Sequence, residues 1–249
     1  MAAQYRHCRI LAIFNVSMVL MMISIQYMDS PCSIIPIENI SLSQSSTTES
    51  NNNTSLPKWV TGVPQDFATE MLIGSTGLTD KTNNGHKFQW LYQPNLSRLI
   101  KQKLSNPDKS SVKKIRLLEF GLGCAPGGGM IRNTPGGSAL GWRHLFNQVD
   151  GIIFELHIFE YDEECALKWQ KEHPHTVDGL HIGDASSEKD LLRAYNDAGG
   201  VPFDVMIDDA SHINWHMIKT LDYMLPKVEI GGFYVVEDIP TACRDYKVS

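Results

Sequence analysis

Residues 203–239, FDVMIDDASHINWHMIKTLDYMLPKVEIGGFYVVEDI, decide the fold of this chain. Residues 203–207 are a short apolar run, which is typical of a buried parallel strand. A stretch with helical spacing follows and breaks at Pro226, and residues 233–236 read as a second buried strand. The segment therefore predicts a strand–helix–strand unit in an α/β fold with a doubly wound parallel sheet.

Acidic side chains stand where each of these two strands ends, with Asp208 and Asp209 after the first and Glu237 and Asp238 after the second. Ligands of open parallel sheets bind outside the carboxyl ends of the strands. Clustered carboxylates repel unless a cation lies among them, and a hard divalent cation is the simplest one. We therefore expect Asp209, Glu237 and Asp238 to bind a metal. His212, whose ordinary pKa lies near physiological pH, is the expected general base.

The alternative interpretation of the same residues is a solvated acidic rim in which His212 caps the start of the helix. That alternative is the better one for any single carboxylate. For the set at two neighbouring strand ends, a binding site is the better interpretation.

A third strand is predicted at residues 115–120 (IRLLEF), and it runs into Gly121 and Gly123. Glycines at such a turn let the backbone approach a ligand, and the helix starting near Ser138 would offer free N–H groups. Gly127 comes one residue too late for the G-x-G-x-x-G fingerprint. This argues against an NAD- or nucleotide-sugar-dependent enzyme, which we keep as one alternative.

Two more strands are predicted at residues 152–161 and 180–182, which brings the number of recognisable strands to five. Glu160 ends the first of them, where a carboxylate can bind the hydroxyls of a ribose, and Asp162 competes for the same role. Asp184 follows the second. Its alternative role is that of an acid at the start of the next helix.

The two acidic strand ends, DDASH (208–212) and GGFYVVEDI (231–239), resemble the metal-dependent class I O-methyltransferases of the macrocin and mycinamicin type. They are also similar to hard-surface-induced-type methyltransferase domains. The resemblance implies a Rossmann-like sheet, S-adenosyl-L-methionine (SAM) as methyl donor, and Mg²⁺ or another divalent cation. It implies a hydroxyl of a sugar, polyol or natural product as the acceptor. Ala210 stands where the family has glycine, which we expect to be tolerated unless this position needs a positive φ.

The resemblance also assigns functional roles residue by residue. It gives the metal to Asp209, Glu237 and Asp238, and the general base to His212. The expected cofactor-binding set is Glu119, Gly121, Gly123, Gly137, Ser138, Glu160, Asp184 and Asp208. Within that set the family pattern favours Glu160 over Asp162 for the ribose, and it gives the adenine amine to Asp184.

A segment at residues 77–88, GLTDKTNNGHKF, resembles the family segment that helps to enclose the cofactor or substrate. An ordinary surface loop is the alternative for Asp80, Lys81 and His86. The resemblance runs from about residue 74 to residue 239, and the sheet of this fold normally ends in an antiparallel hairpin. The chain ends at Ser249, so we expect that hairpin to be missing and an edge to be exposed. A catalytically inactive, membrane-anchored SAM-binding or interaction module is therefore a further alternative.

The composition limits the choice of partners. The chain has 249 residues and a formal net charge of −6, which argues against nucleic acid as a partner. Its five cysteines are scattered and lack a C-x-x-C pair, so we expect neither a zinc site nor a disulfide framework. The composition leaves the oligomeric state open.

Residues 10–28 are apolar and uncharged, which predicts a transmembrane signal-anchor or, alternatively, a cleaved signal peptide. Arg6 and Arg9 precede this segment, so residues 1–9 are expected in the cytosol. This predicts a single-pass type II membrane protein of the secretory pathway, in the ER or Golgi, or a secreted protein if the segment is cleaved.

The remaining segments complete the expected domain organisation. Residues 29–57 form a polar linker, 58–110 a helical lead-in and 111–249 the methyltransferase domain with an incomplete C-terminus. Sequons predict a glycoprotein. They begin at Asn39, Asn52, Asn53 and Asn95.

Overall fold

The structure is a computed structural model that describes residues 12–15, 55–82, 86–107, 112–124 and 135–239. The strands are β1 (Ala12–Asn15), β2 (Lys114–Phe120), β3 (Ile153–Glu160), β4 (Gly179–Ile182), β5 (Phe203–Asp208) and β6 (Val228–Val236). The helices are α1 (Lys58–Thr61), α2 (Pro64–Gly74), α3 (Gln89–Ser105), α4 (Gly137–Phe146), α5 (Glu163–Glu172), α6 (Glu188–Asp197) and α7 (Asn214–Met224). The chain divides into a unit of Met1–Ser17 with Leu56–Ser249, which carries all these elements, and a unit of Met18–Ser55, of which only Ser55 is described.

The strands form one sheet in the order β1-β6-β5-β2-β3-β4. Every pair among β2 to β6 is parallel, and helices connect successive strands, as parallel pairing requires. The five strands predicted from the sequence are therefore confirmed, and so is the α/β class. The order β6-β5-β2-β3-β4 reverses direction at β2, so the carboxyl ends of β2 and β5 border the crevice where such sheets bind ligands.

Both faces of the sheet are buried because successive side chains of a strand point to opposite faces. Val205 and Ile207 pack in a core with α1 to α5, whereas Met206 packs in a second core with α6 and α7. The near-continuous apolar runs of β2, β5 and β6 reflect this double burial. The lead-in helices pack in the first core and therefore cover that face of the sheet at the strand ends.

The outer edge of β6 is paired, which corrects the expected exposed edge. Strand β1 runs antiparallel to β6, with Ala12 opposite Val236 and Asn15 opposite Phe233. These four residues belong to the segment 10–28, whose other residues lie outside the described part of the chain. A segment that pairs within the sheet does not cross a membrane as a helix, so the predicted signal-anchor is wrong at these residues.

Among the described residues, no helix has the length and apolar character needed to cross a bilayer. The predicted localisation, a type II membrane protein of the secretory pathway or a secreted protein, is corrected because residues 12–15 of the expected anchor pair with β6. The sequons at Asn39, Asn52 and Asn53 lie outside the described residues. Asn95 lies in α3, and its side-chain amide donates to the Leu91 carbonyl at 2.9 Å, so this sequon does not support a glycoprotein.

Cys124 and Cys165 form a disulfide, although the spacing of the cysteines indicated no disulfide framework. The bond joins the turn after β2 to the first turn of α5. Their separation of 41 residues includes no recognisable cysteine motif, and pairing of this kind cannot be deduced from spacing.

Candidate active site

Three acidic residues extend one face of the sheet at the carboxyl ends of β2, β5 and β6. Glu119 is opposite Ile207, and Ile207 is opposite Val235, with all three on the face of the first core. Asp209 and Glu237 each come two residues later on their own strands. The period of two therefore places Glu119, Asp209 and Glu237 on the same face, which the lead-in helices cover.

A lysine from the lead-in segment lies among these acids. The Nζ atom of Lys81 is 2.8 Å from Asp209 Oδ2, 2.9 Å from Glu237 Oε2 and 3.1 Å from Glu119 Oε1. The side chain is completely buried, so the surface-loop interpretation is wrong for Lys81. Burial alone would lower the pKa of Lys81, but the neighbouring carboxylates, that of Asp209 most of all, raise it well above its ordinary value.

Glu237 and Glu119 face inward and have interior partners. Glu237 is 1% exposed, and its carboxylate accepts hydrogen bonds from Lys81 and from the Tyr92 hydroxyl. Glu119 Oε2 accepts from Ser138 Oγ at 2.9 Å and from Trp142 Nε1 at 3.2 Å. Burial raises the pKa of both carboxyl groups, and Lys81 opposes that effect. The metal role of Glu237 and the cofactor role of Glu119 remain predictions.

Asp209, His212 and Asp238 form a second, outer group. One possible ligand atom from each lies within 4.8 Å of the other two, and all three side chains are partly exposed. His212 Nε2 is 3.8 Å from Asp209 Oδ1 and 3.9 Å from Asp238 Oδ2. Two carboxylates and an imidazole at this spacing can hold a divalent cation, or the carboxylates can hold it while the imidazole exchanges a proton.

Two members of this outer group have unusual backbone conformations. His212 and Asp238 both have a φ of 53°, in the left-handed region that only a few per cent of non-glycine residues adopt. Such conformations persist where the surrounding structure imposes them, and they cluster at functional sites. Ala210 has no such φ, so the backbone at the family's glycine position does not require glycine here.

His86 is a site residue whose contact the sequence did not predict. Its Nδ1 atom lies 2.9 Å from Asp238 Oδ1, and its ring stacks on Phe88 with centroids 5.2 Å apart. The hydrogen bond to Asp238 raises the pKa of His86. Burial is the largest single influence and would raise the pKa of Asp238, but the bond to His86 and the charges of His86, His212 and Lys81 together lower it. The loose match of residues 77–88 to the family was the available sign of this contact.

The glycine turn after β2 lies against the end of β5. Gly121 has a φ of 101°, and a Cβ atom there would lie 2.3 Å from the Asp209 carbonyl oxygen, so another side chain does not fit. Gly123 has a φ of 87°, also in the region that favours glycine. The turn thus brings its backbone next to Asp209. The predicted cofactor role of these two glycines stays a prediction.

Glu160 lies beside the same turn. Its Oε2 accepts from the Leu122 N–H at 2.8 Å, and its Oε1 accepts from the N–H groups of Tyr161 and Asp162. Asp162 instead caps α5, because its Oδ1 accepts from the Cys165 N–H at 3.0 Å. Both acids thus accept hydrogen bonds from the backbone, and the choice of Glu160 over Asp162 for a ribose remains a prediction.

The other expected cofactor residues lie in three different settings. Asp184 is half-buried, and its Oδ1 accepts from the Ser186 N–H at 2.8 Å in the turn before α6. Asp208 is 2% exposed on the opposite face of β5, and burial raises its pKa to about 7. A Cβ atom on Gly137 would lie 2.8 Å from the Leu78 carbonyl oxygen, so this glycine permits close packing. Asp208 has little surface to offer a ligand, and the three cofactor roles stay predictions.

The sheet order, the glycine turn and the acidic strand ends define a class I methyltransferase fold. Solved structures agree: the chain matches the MycE methyltransferase from the mycinamycin biosynthetic pathway, in complex with Mg, SAH and mycinamycin VI, with a TM-score of 0.52. The match has 24% identity and covers 71% of this chain and 38% of that one. A second structure of MycE with Mg and SAH matches with a TM-score of 0.51.

Curated relatives identify the type of methyltransferase domain. One relative is a tetracenomycin-C 3'-O-methyltransferase of Streptomyces olivaceus, whose substrate name includes a 2-methoxy-rhamnosyl group. It is 32% identical over 169 residues, which are 68% of this chain and 36% of the relative. Demethylmacrocin O-methyltransferase of Streptomyces fradiae is 34% identical over 130 residues, 52% of this chain and 29% of the relative. Mycinamicin VI 2''-O-methyltransferase of Micromonospora griseorubida is 35% identical over 130 residues, 52% of this chain and 28% of the relative.

These matches confirm the resemblance inferred from the acidic strand ends. The chain contains a domain homologous to O-methyltransferases of the macrocin and mycinamicin type. It spans about a third of the length of the curated relatives that it matches. No protein-family model matches the chain.

Proposed function

We propose that this chain provides the catalytic domain of a SAM-dependent O-methyltransferase that acts on a sugar hydroxyl of a glycosylated natural product. The observation that carries the proposal is the convergence of Asp209, His212 and Asp238 within 4.8 Å at the strand ends next to the glycine turn. The curated relatives support it, because their names describe O-methyltransferases, and three of those names give a rhamnosyl or olivosyl compound as the substrate.

The cofactor would bind at the turn that contains Gly121 and Gly123. Their lack of a side chain lets the backbone approach a ligand, and Glu160 lies beside the turn to bind the ribose hydroxyls. Asp184, at the end of β4, would bind the adenine amine. SAM would supply an electrophilic methyl group. The task of these residues is to hold it in line with the acceptor oxygen, because positioning provides much of the rate in such a transfer.

The outer acidic group would bind the metal and prepare the acceptor. Asp209 and Asp238 offer carboxylate oxygens, the ligand type that Mg²⁺ prefers, and the adjacent Glu237 is the third predicted ligand. A bound dication would stabilise negative charge on the acceptor oxygen. His212 would accept the proton from the acceptor hydroxyl. Its Nε2 atom is less than 4 Å from both carboxylates, 3.8 Å from Asp209 and 3.9 Å from Asp238, so the charged imidazole that results would be stabilised.

The experiment is methyl incorporation from labelled SAM by the full chain, with rhamnosylated and olivosylated polyketides and simple polyols as acceptors. Turnover is expected with Mg²⁺ and not with EDTA. His212→Ala should lower kcat by about 10²–10⁴-fold, the usual contribution of a general base. His175→Asn is the matched control, because His175 is exposed, and asparagine tolerates its φ of 68°.

Three results would contradict the proposal. Turnover that is equal with Mg²⁺ and EDTA and unchanged in His212→Ala would exclude the metal and base roles. Binding of S-adenosylhomocysteine in calorimetry, without turnover of any acceptor, would favour the inactive SAM-binding module. Binding of NAD in place of S-adenosylhomocysteine would favour the nucleotide-dependent alternative.

A further inference from the structure

The backbone at Lys81 is held in place by a hydrogen bond and by the buried residues around it. It follows α2 by a tight turn in which its N–H donates to Thr79 Oγ1 at 3.2 Å, and Ser75, Thr79 and Thr82 around it are buried. The neighbouring lead-in helices pack in the first core. Because the segment is held in this way, the backbone position from which the Lys81 side chain extends to the strand ends is fixed.

The ammonium group of Lys81 has a full set of partners. It carries three hydrogens, and three carboxylate oxygens from three different strand ends lie within 3.1 Å of it. A buried charge is tolerated only when it is paired in this way. The contacts with Asp209 and Glu237 satisfy hydrogen-bond geometry, and the contact with Glu119 is an ion pair.

Asp209 is the acid that belongs to both groups. Its Oδ2 atom accepts from Lys81 on the inner side, whereas its Oδ1 atom lies 3.8 Å from His212 in the outer group. Its backbone is fixed as well, since its N–H donates to the Phe120 carbonyl at 3.0 Å and Gly121 packs against its carbonyl. The remaining freedom is rotation of the carboxylate, and the bond to Lys81 removes it.

We propose that Lys81 is a positioning residue that orients the Asp209 carboxylate toward the outer, metal-binding group. The inference rests on the proposed function, because it concerns the metal that this function requires. Partners that orient a metal ligand in this way contribute 10- to 100-fold to metal affinity in well-studied sites. A charge-compensating lysine with no orienting role would have the opposite effect, because its removal would leave more negative charge near a dication.

The test is Mn²⁺ affinity, measured by calorimetry and by electron paramagnetic resonance on the full chain without cofactor or acceptor. Lys81→Met should raise the Mn²⁺ Kd about 10- to 100-fold. Lys103→Met is the matched control: it breaks a lysine–carboxylate pair with Asp204, at 2.5 Å, that includes none of the site acids, and should leave the Kd unchanged. Circular dichroism verifies that each variant is folded at the temperature of the titration.

A second variant covers the case in which Lys81→Met does not fold. Lys81→Met combined with Glu119→Gln removes one positive and one negative charge, and still deprives Asp209 of its inner partner. The double variant should also bind Mn²⁺ at least tenfold more weakly. An unchanged or tighter Kd in a folded variant overturns the role of Lys81 and leaves the metal site of the wild type intact. Absence of Mn²⁺ binding by the wild type overturns both the metal site and the role of Lys81.

Discussion

Removing the disulfide should cost the fold a large part of its stability. The bond closes a loop with a sequence separation of 41 residues. In the chain-entropy account, a loop of about 41 residues removes about 13 cal/mol/K from the unfolded chain, or about 4 kcal/mol at 25 °C. Domains of this kind are stabilised by about 5–15 kcal/mol in total, so the loss should be easy to measure. We expect the Cys124→Ser/Cys165→Ser variant to unfold at a clearly lower urea concentration.

The assay is urea unfolding followed by circular dichroism, with and without a thiol reductant. Serine at position 165 keeps the N–H that donates to Asp162, so the start of α5 is preserved in the variant. Reduction should bring the wild type to the same midpoint as the double variant. The variant itself should not respond to reductant, which controls for effects of the reagent.

Two outcomes would refute this reasoning. If the double variant loses less than about 1 kcal/mol, the bond does not restrict the unfolded chain as the loop-entropy account requires. If the wild type is insensitive to reductant under unfolding conditions while the variant is destabilised, the effect comes from the substitutions and not from the disulfide.

The remaining predictions concern pH and packing. His157 contacts His181 at 3.1 Å, and burial lowers the pKa of His157 from 6.5 to about 4. The neutral ring therefore stabilises the fold above pH 6.5, and this contribution is lost as the pH falls toward 4. In urea unfolding, the free energy of unfolding should fall by about 2 kcal/mol between pH 7 and pH 5, and it should fall by less in His157→Leu. An equal fall in the variant would contradict the role of His157. Gly136→Ala should destabilise by about 2–4 kcal/mol, because its new Cβ would lie 2.2 Å from the Trp169 ring at a φ of 79°. Gly199→Ala, with a φ of 96° and no atom within 4 Å of the new Cβ, should cost only about 1 kcal/mol, and equal losses would argue against the clash.

The strands and their acidic ends could be predicted because their signals are local. Each strand is an apolar run followed by an acid or a glycine, and parallel strands end at the same edge of the sheet. The period of two determines which residues of one strand share a face, but grouping Glu119, Asp209 and Glu237 also needs the register between the strands, which the sequence does not give. The resemblance to the family assigns Glu119 to the cofactor and Glu237 to the metal.

The contacts of Lys81 could not be predicted, because they join residues that are far apart in the chain. Asp209 is 128 residues away from Lys81, and Glu237 is 156 residues away. Nothing in the short segment around Lys81 distinguishes a solvated lysine from a buried one. The same limit applies to β1, since a short apolar run fits a buried strand and a membrane helix equally well.

Both groups of acids need a cation to offset the repulsion between their carboxylates, but the two groups lie at different depths. In the interior, a covalently attached ammonium neutralises Glu119 and Glu237 and needs no exchange with solvent, which suits residues that are 0% and 1% exposed. In the outer group, a metal that activates a hydroxyl would have to exchange water for substrate, so part of its ligand set would have to be reachable from outside. Asp209 and Asp238, with side chains 21% and 18% exposed, meet that condition. A bound metal and Lys81 would therefore share the Asp209 carboxylate, with one cation at each oxygen. Through this group, a buried lysine would set the orientation of a metal ligand.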